Sequence, residues 1–128
     1  MSYSTSYHNA VLYLAHLIIS ADGIIDDNEI QALESIKEED SIPDEVFNDY
    51  KNSVQGMREK QIYERAIDLV SECTDEEKLR AFCWLYKISE VDGTVHVKEV
   101  RFLLYSVKRA GIEFEDVVDA AKSYPAII

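Results

Sequence analysis

Val11-Leu12-Tyr13-Leu14-Ala15-His16-Leu17-Ile18-Ile19 is the stretch that decides the fold class. Val11, Leu14, Ala15 and Ile18 fall at i, i+3, i+4 and i+7, the spacing of one helical face. Leu12, Leu17 and Ile19 widen that face until little polar surface remains, and a helix apolar on most sides belongs inside a bundle. A second helix of the same kind carries Leu79, Phe82, Cys83 and Tyr86 on one face, broadened by Trp84, Leu85 and Ile88. Two such helices need others to cover them.

The rest of the chain supplies the cover. Ile30, Leu33 and Ile36 form a narrow helical stripe. Pro43-Asp44-Glu45 opens another helix, with proline in its first turn and acids at the positive end of its dipole. Its buried edge is Val46, Phe47, Tyr50 and Val54, and Gly56 ends it. Ile62, Ala66, Leu69, Val70 and Cys73 mark a fourth helix. Thr74-Asp75-Glu76-Glu77 has the spacing of a capping box at the start of the fifth. Val100, Leu103, Leu104 and Val107, stopping at Gly111, predict a sixth helix. Phe114, Val117, Val118 and Ala121, ending before Tyr124-Pro125, predict a seventh. No stretch alternates as a strand would. The expectation is an all-α compact bundle of about seven helices, forming one domain over residues 1–128.

Composition narrows the partners. Thirteen Lys and Arg against 25 Asp and Glu give a net charge of −12, which disfavours nucleic acid and anionic membranes and favours cations or basic protein surfaces. Charge is uneven. Between residues 26 and 49 stand Asp26, Asp27, Glu29, Glu34, Glu38, Glu39, Asp40, Asp44, Glu45 and Asp49 against Lys37 alone, which is −9 of the −12. Such a run is either a solvated face or a docking surface for a basic partner. No apolar stretch reaches the ~18–20 residues that span a bilayer, so no direct membrane insertion is expected. The opening Met1-Ser2-Tyr3-Ser4-Thr5-Ser6 lacks the basic flank of a secretion signal, which predicts a cytoplasmic chain. Cys73 and Cys83 are not in a C-x-x-C motif and read as reduced thiols packed in helices.

One internal echo carries chemical information. Ala21-Asp22-Gly23-Ile24-Ile25-Asp26-Asp27-Asn28-Glu29-Ile30 recurs 70 positions later as Val91-Asp92-Gly93-Thr94-Val95-His96-Val97-Lys98-Glu99-Val100. Each copy follows one of the two broad apolar helices, so the fold contains two pseudo-symmetric helix–Asp-Gly turn–helix units. Glycine past a helix end terminates it, and glutamate in the next first turn suits the dipole. Helix-ending physics does not require Asp and Glu to stand seven apart in both copies. D-G-x-[IV]-x-x-x-E is the second half of an EF-hand loop, but the leading oxygen ligands are missing, with Ile18 and Ser20, then Ile88 and Glu90, in their places. A standard EF-hand is therefore rejected.

Two readings of the motifs remain open. Each Asp and Glu caps its own turn, or the repeats pack so that Asp22, Glu29, Asp92 and Glu99 converge. Carboxylates within ~4–6 Å repel by about 1 kcal/mol per pair in water and about 4 when partly buried, so a converged cluster needs a proton, a base or a cation. Oxygen-only donors favour calcium, magnesium or manganese over zinc. Nucleotide loops, the G-x-S-x-G nucleophile elbow, H-E-x-x-H and the Glu-x-x-His pairs of di-iron bundles are absent from the sequence. His8 and His16 lie near the first helix and read as packed or surface residues, and His96 alone makes no base–nucleophile pair.

The paired A-D-G-x-I-x-x-x-E and V-D-G-x-V-x-x-x-E motifs, in an acidic helical chain of this length, resemble the TerB-like family. That family includes the tellurite-resistance protein TerB and the N-terminal region of the DnaJ-like co-chaperone DjlA. The resemblance runs from about Tyr7 to Ala121. It implies a compact helical bundle of the bacterial cytoplasm, a tellurite or stress-response role, and a divalent-metal site at Asp22, Glu29, Asp92 and Glu99. This chain departs from the more acidic variants at His96, Val97 and Lys98, and Lys98 offers a counter-charge in place of a metal. The expected function is non-enzymatic cation binding and protein docking. A metal-free docking or co-chaperone-type domain and a metal-dependent hydrolase are the alternatives.

Overall fold

A computed structural model of the chain describes residues 4–19, 27–91 and 113–123. Every regular element among them is helical: α1 (Thr5–Ile19), α2 (Asp27–Glu39), α3 (Asp44–Gln55), α4 (Glu59–Ser71), α5 (Asp75–Val91) and α6 (Phe114–Ala121). The helix expected at Val100–Val107 lies outside the described residues. The all-α expectation is met by the rest.

The two broad apolar segments occupy the centre. α1 packs against α2, α3, α4 and α5, and all six residues from Ala10 to Ala15 are buried, so no face of it meets water there. α5 is covered by α1, α2 and α6, and Ala81, Phe82, Cys83, Trp84, Leu85 and Ile88 are buried. Each fully buried Leu, Ile or Phe is worth about 1.5–3 kcal/mol over its exposed state, which is what draws these two helices inward. The outer helices contribute single stripes: Ala32, Leu33 and Ile36 from α2, Phe47 and Tyr50 from α3, Ile62, Ala66, Leu69 and Val70 from α4, Val117 and Ala121 from α6.

One carboxylate joins the N-termini of the two central helices. The capping box at α5 forms as the sequence predicts: Thr74 N–H donates to Glu77 Oε1 at 3.0 Å, and Glu77 N–H donates to Thr74 Oγ1 at 3.1 Å. Glu77 Oε2 also accepts from the backbone N–H and the hydroxyl of Ser4, each at 2.9 Å. Ser4 Oγ in turn accepts the Tyr7 N–H at 3.1 Å, capping α1. Both helix starts present positive dipole ends to this carboxylate. Burial pushes the Glu77 carboxyl up, but hydrogen bonds from the backbone and side chains of Ser4 and Thr74 together hold it below its ordinary 4.5.

The C-terminal end of α2 turns without glycine. Ile42 N–H reaches back to Lys37 C=O at 2.9 Å and Ser41 N–H to Glu38 C=O at 3.3 Å, the paired bonds of a Schellman motif. Ser41 takes the left-handed position at φ 52, and Ile42 buries its side chain beyond it. Pro43 then stands at the N-cap of α3, one position ahead of the first turn in which the sequence places it. Gly56 is the C-cap of α3, as expected.

Three outcomes follow for stability. Left-handed serine costs roughly 1–2 kcal/mol, part of which glycine returns as unfolded-state entropy, so Ser41→Gly is expected to stabilise by about 0.5–1 kcal/mol in urea denaturation. The Glu77 contribution is present above pH 4.5 and lost as pH falls through the lowered folded value. Glu77→Gln is therefore expected to flatten the acid arm of a stability–pH profile. Glu77→Ala is expected to cost about 1.5–3 kcal/mol at neutral pH, measured by the same urea melts.

Candidate functional site

Of the four carboxylates predicted to converge, Asp22, Asp92 and Glu99 lie outside the described residues. Glu29 falls in the first turn of α2, and its side chain is likewise outside the description. What the structure does give is the course of the helices that lead into the two motifs. Ser4 at the start of α1 meets Glu77 in the first turn of α5, and further along both helices Tyr7 and Trp84 meet at Asp40. The two central helices thus begin together and pass Asp40 in the same sense. They end at Ile19 and Val91, three residues before Asp22 and one before Asp92. Among the described residues no group of three or more His, Cys, Asp or Glu is placed to hold a metal ion.

The built polar centre among the described residues is around Asp40, whose side chain is 0% exposed. Arg80 Nε and Nη2 donate to Oδ1 at 2.8 and 2.5 Å, Trp84 Nε1 donates to Oδ2 at 3.0 Å, and the Tyr7 hydroxyl also donates to Oδ2. Arg80 and Trp84 are i, i+4 neighbours on α5, and the guanidinium lies 5.5 Å from the Trp84 ring centroid. Asp40 itself sits just past α2, where the helix dipole opposes a negative charge. The Arg80 cation offsets both that and the loss of water. The result is a tie between α1, α2 and α5.

Sequence reading counts Asp40 in the exposed acidic run, and the structure corrects this. The detectable signal was Arg80, the one charge in the run from Leu79 to Tyr86, whose apolar neighbours draw it inward to where it must find a carboxylate. The remaining described acids of the run behave as expected. Glu34, Glu38, Glu39, Asp44, Glu45 and Asp49 are exposed, with Glu34 and Glu38 on one face of α2 and Glu45 and Asp49 on one face of α3. Lys37 pairs with Asp44 at 2.5 Å and holds that carboxyl below its usual range, a surface pair of little energetic weight.

The histidines of α1 are packed. His16 Nδ1 lies 2.9 Å from Tyr50 Oη, the rings edge to face at 5.8 Å. Burial lowers the His16 pKa and raises that of Tyr50, so the neutral imidazole accepts the phenolic proton. His8 is buried against Tyr7, their ring centroids 5.9 Å apart. Cys73 and Cys83 are free and buried, as the sequence indicates, and burial pushes the Cys73 thiol up to about 12. Such a thiol is inert near neutrality. Cys83 spends its S–H on the Val117 carbonyl at 3.6 Å.

These features define a small helical module in which chemistry-bearing side chains of the described core serve packing. The family described as Tellurite resistance protein TerB matches residues 8–122, and the chain belongs to it. Neither the curated proteins nor the solved structures gave a match.

Removing one partner from a buried ion pair costs about 3–5 kcal/mol, and Asp40→Ala takes a shared acceptor from Arg80, Trp84 Nε1 and the Tyr7 hydroxyl together. That loss is expected in guanidinium denaturation. Asp49→Ala, on the exposed face, is expected to stay within about 0.5 kcal/mol of the parent.

Proposed function

We propose that the chain is one non-catalytic TerB-family domain of the bacterial cytoplasm, acting in tellurite or other stress responses. In this reading it binds a divalent cation through Asp22, Glu29, Asp92 and Glu99. The observation that carries the reading is the course of α1 and α5: starting from a shared pin at Ser4 and Glu77 and running in the same sense, they support a meeting of the two motifs beyond Ile19 and Val91. The donor set is all oxygen, which fits calcium, magnesium or manganese, with His96 as the one nitrogen nearby in sequence. The exposed acids of α2 and α3 support a second role, docking to a basic protein surface. No described helix is long and apolar enough to cross a membrane.

The metal-free docking reading has its own support, because Glu29 in the first turn of α2 suits the helix dipole without any ion. Thermal melts with calcium, magnesium, manganese or zinc separate the two. A cation at ~100 times its dissociation constant is expected to add about 2.7 kcal/mol, and Asp22→Asn with Asp92→Asn to abolish the gain. A melting temperature unmoved by every cation, together with unchanged stability of the double variant, leaves docking alone.

A further inference from the structure

His8 is 6% exposed, and its Nε2 is a buried ring nitrogen with no hydrogen-bond partner among the described residues. A buried polar atom without a partner costs stability, and its presence in the most enclosed helix calls for an explanation. The ring lies among the groups that hold three helices together. From the end of α2 it faces the charge and backbone of Asp40, and from α5 the Glu77 carboxylate. Arg80 reaches the same Asp40 carboxylate from α5, and Tyr7 adjoins on α1. α3 and α4 also pack on α1, and none of their described charges acts on this ring.

We propose that His8 is an acid-operated latch: a proton taken up at Nε2, where no acceptor among the described residues awaits it, opens the Asp40 tie and frees the end of α2 from α1 and α5. Burial favours the neutral ring more than Asp40 and Glu77 favour the cation, so the folded value lies below the ordinary 6.5. Once α2 lifts and water enters, the ring regains that ordinary value. Below pH 6.5 the open form therefore binds a proton that the closed form refuses, and the closed-to-open ratio falls by up to about tenfold per pH unit. The seam that yields is the turn at Ser41, already held in a left-handed conformation. Glu77 is held below 4.5, so its loss belongs to a lower pH window. Burial likewise lowers His16 from its ordinary value, but that ring reports on its Tyr50 contact with α3.

Amide hydrogen exchange on the full chain tests this, corrected for the intrinsic pH dependence of exchange. Protection of the Ser41 and Ile42 amides, which carry the two Schellman bonds, is expected to fall by up to about fivefold between pH 6.5 and 5.5. His8→Phe is expected to abolish that fall, and His16→Gln to retain it. Should His8→Phe not fold, an imidazole carbon–proton NMR titration of the parent replaces it. His8 must then titrate below 6.5 and protonate in step with the loss of protection. Protection that is flat with pH, a fall that persists in His8→Phe, or a His8 titration at or above 6.5 overturns the latch.

Discussion

A carboxylate withdrawn from water must be met donor for donor, and Asp40 meets that condition with groups from two other helices. Arg80 supplies the charge, Trp84 and Tyr7 supply neutral donors, and none of the three is near Asp40 in sequence. A burial that would cost several kcal/mol unpaired thereby becomes a constraint on geometry: α2 must end where Asp40 can reach inward. The left-handed serine that follows is part of the same requirement, because it turns the chain away at the point where the side chain enters the core. The helices on which the two Asp-Gly motifs depend are thus held at their beginnings by Glu77 and a little further along by Asp40.

How much of this was legible in the sequence depends on whether the signal was periodic or singular. The all-round burial of α1 and α5 was readable because apolar residues at helical spacing have one economical explanation, interior placement. The Thr74–Glu77 box was readable because its chemistry is local and its spacing fixed. The second employment of Glu77, as the cap partner of Ser4, depends on a contact 73 residues distant and left no local mark. Asp40 was misread for a related reason. In a run of acids one member looks like the next, and only Arg80, set in the apolar run from Leu79 to Tyr86, hints that one of them is withdrawn.

The site proposed for the motifs stands differently. Its spacing was explicit in the sequence, whereas convergence is a tertiary property that no spacing encodes. Membership of the TerB family secures the architecture, and α1 and α5, the helices that lead into the two motifs, begin at a shared contact. Acidic residues elsewhere divide between interior and surface. Asp40 and Glu77 are spent on holding helices, while the exposed acids of α2 and α3 are available to meet a partner.

The placement of α1 also governs how the protein comes into being. Its coverings α4 and α5 follow it in the chain, and Val91 stands 72 positions beyond Ile19. At ~5–20 residues per second, a ribosome takes roughly 4–14 s to complete that interval. Throughout it α1 lacks the α5 part of its cover, so its apolar surface stays incompletely sheltered until that helix has been made.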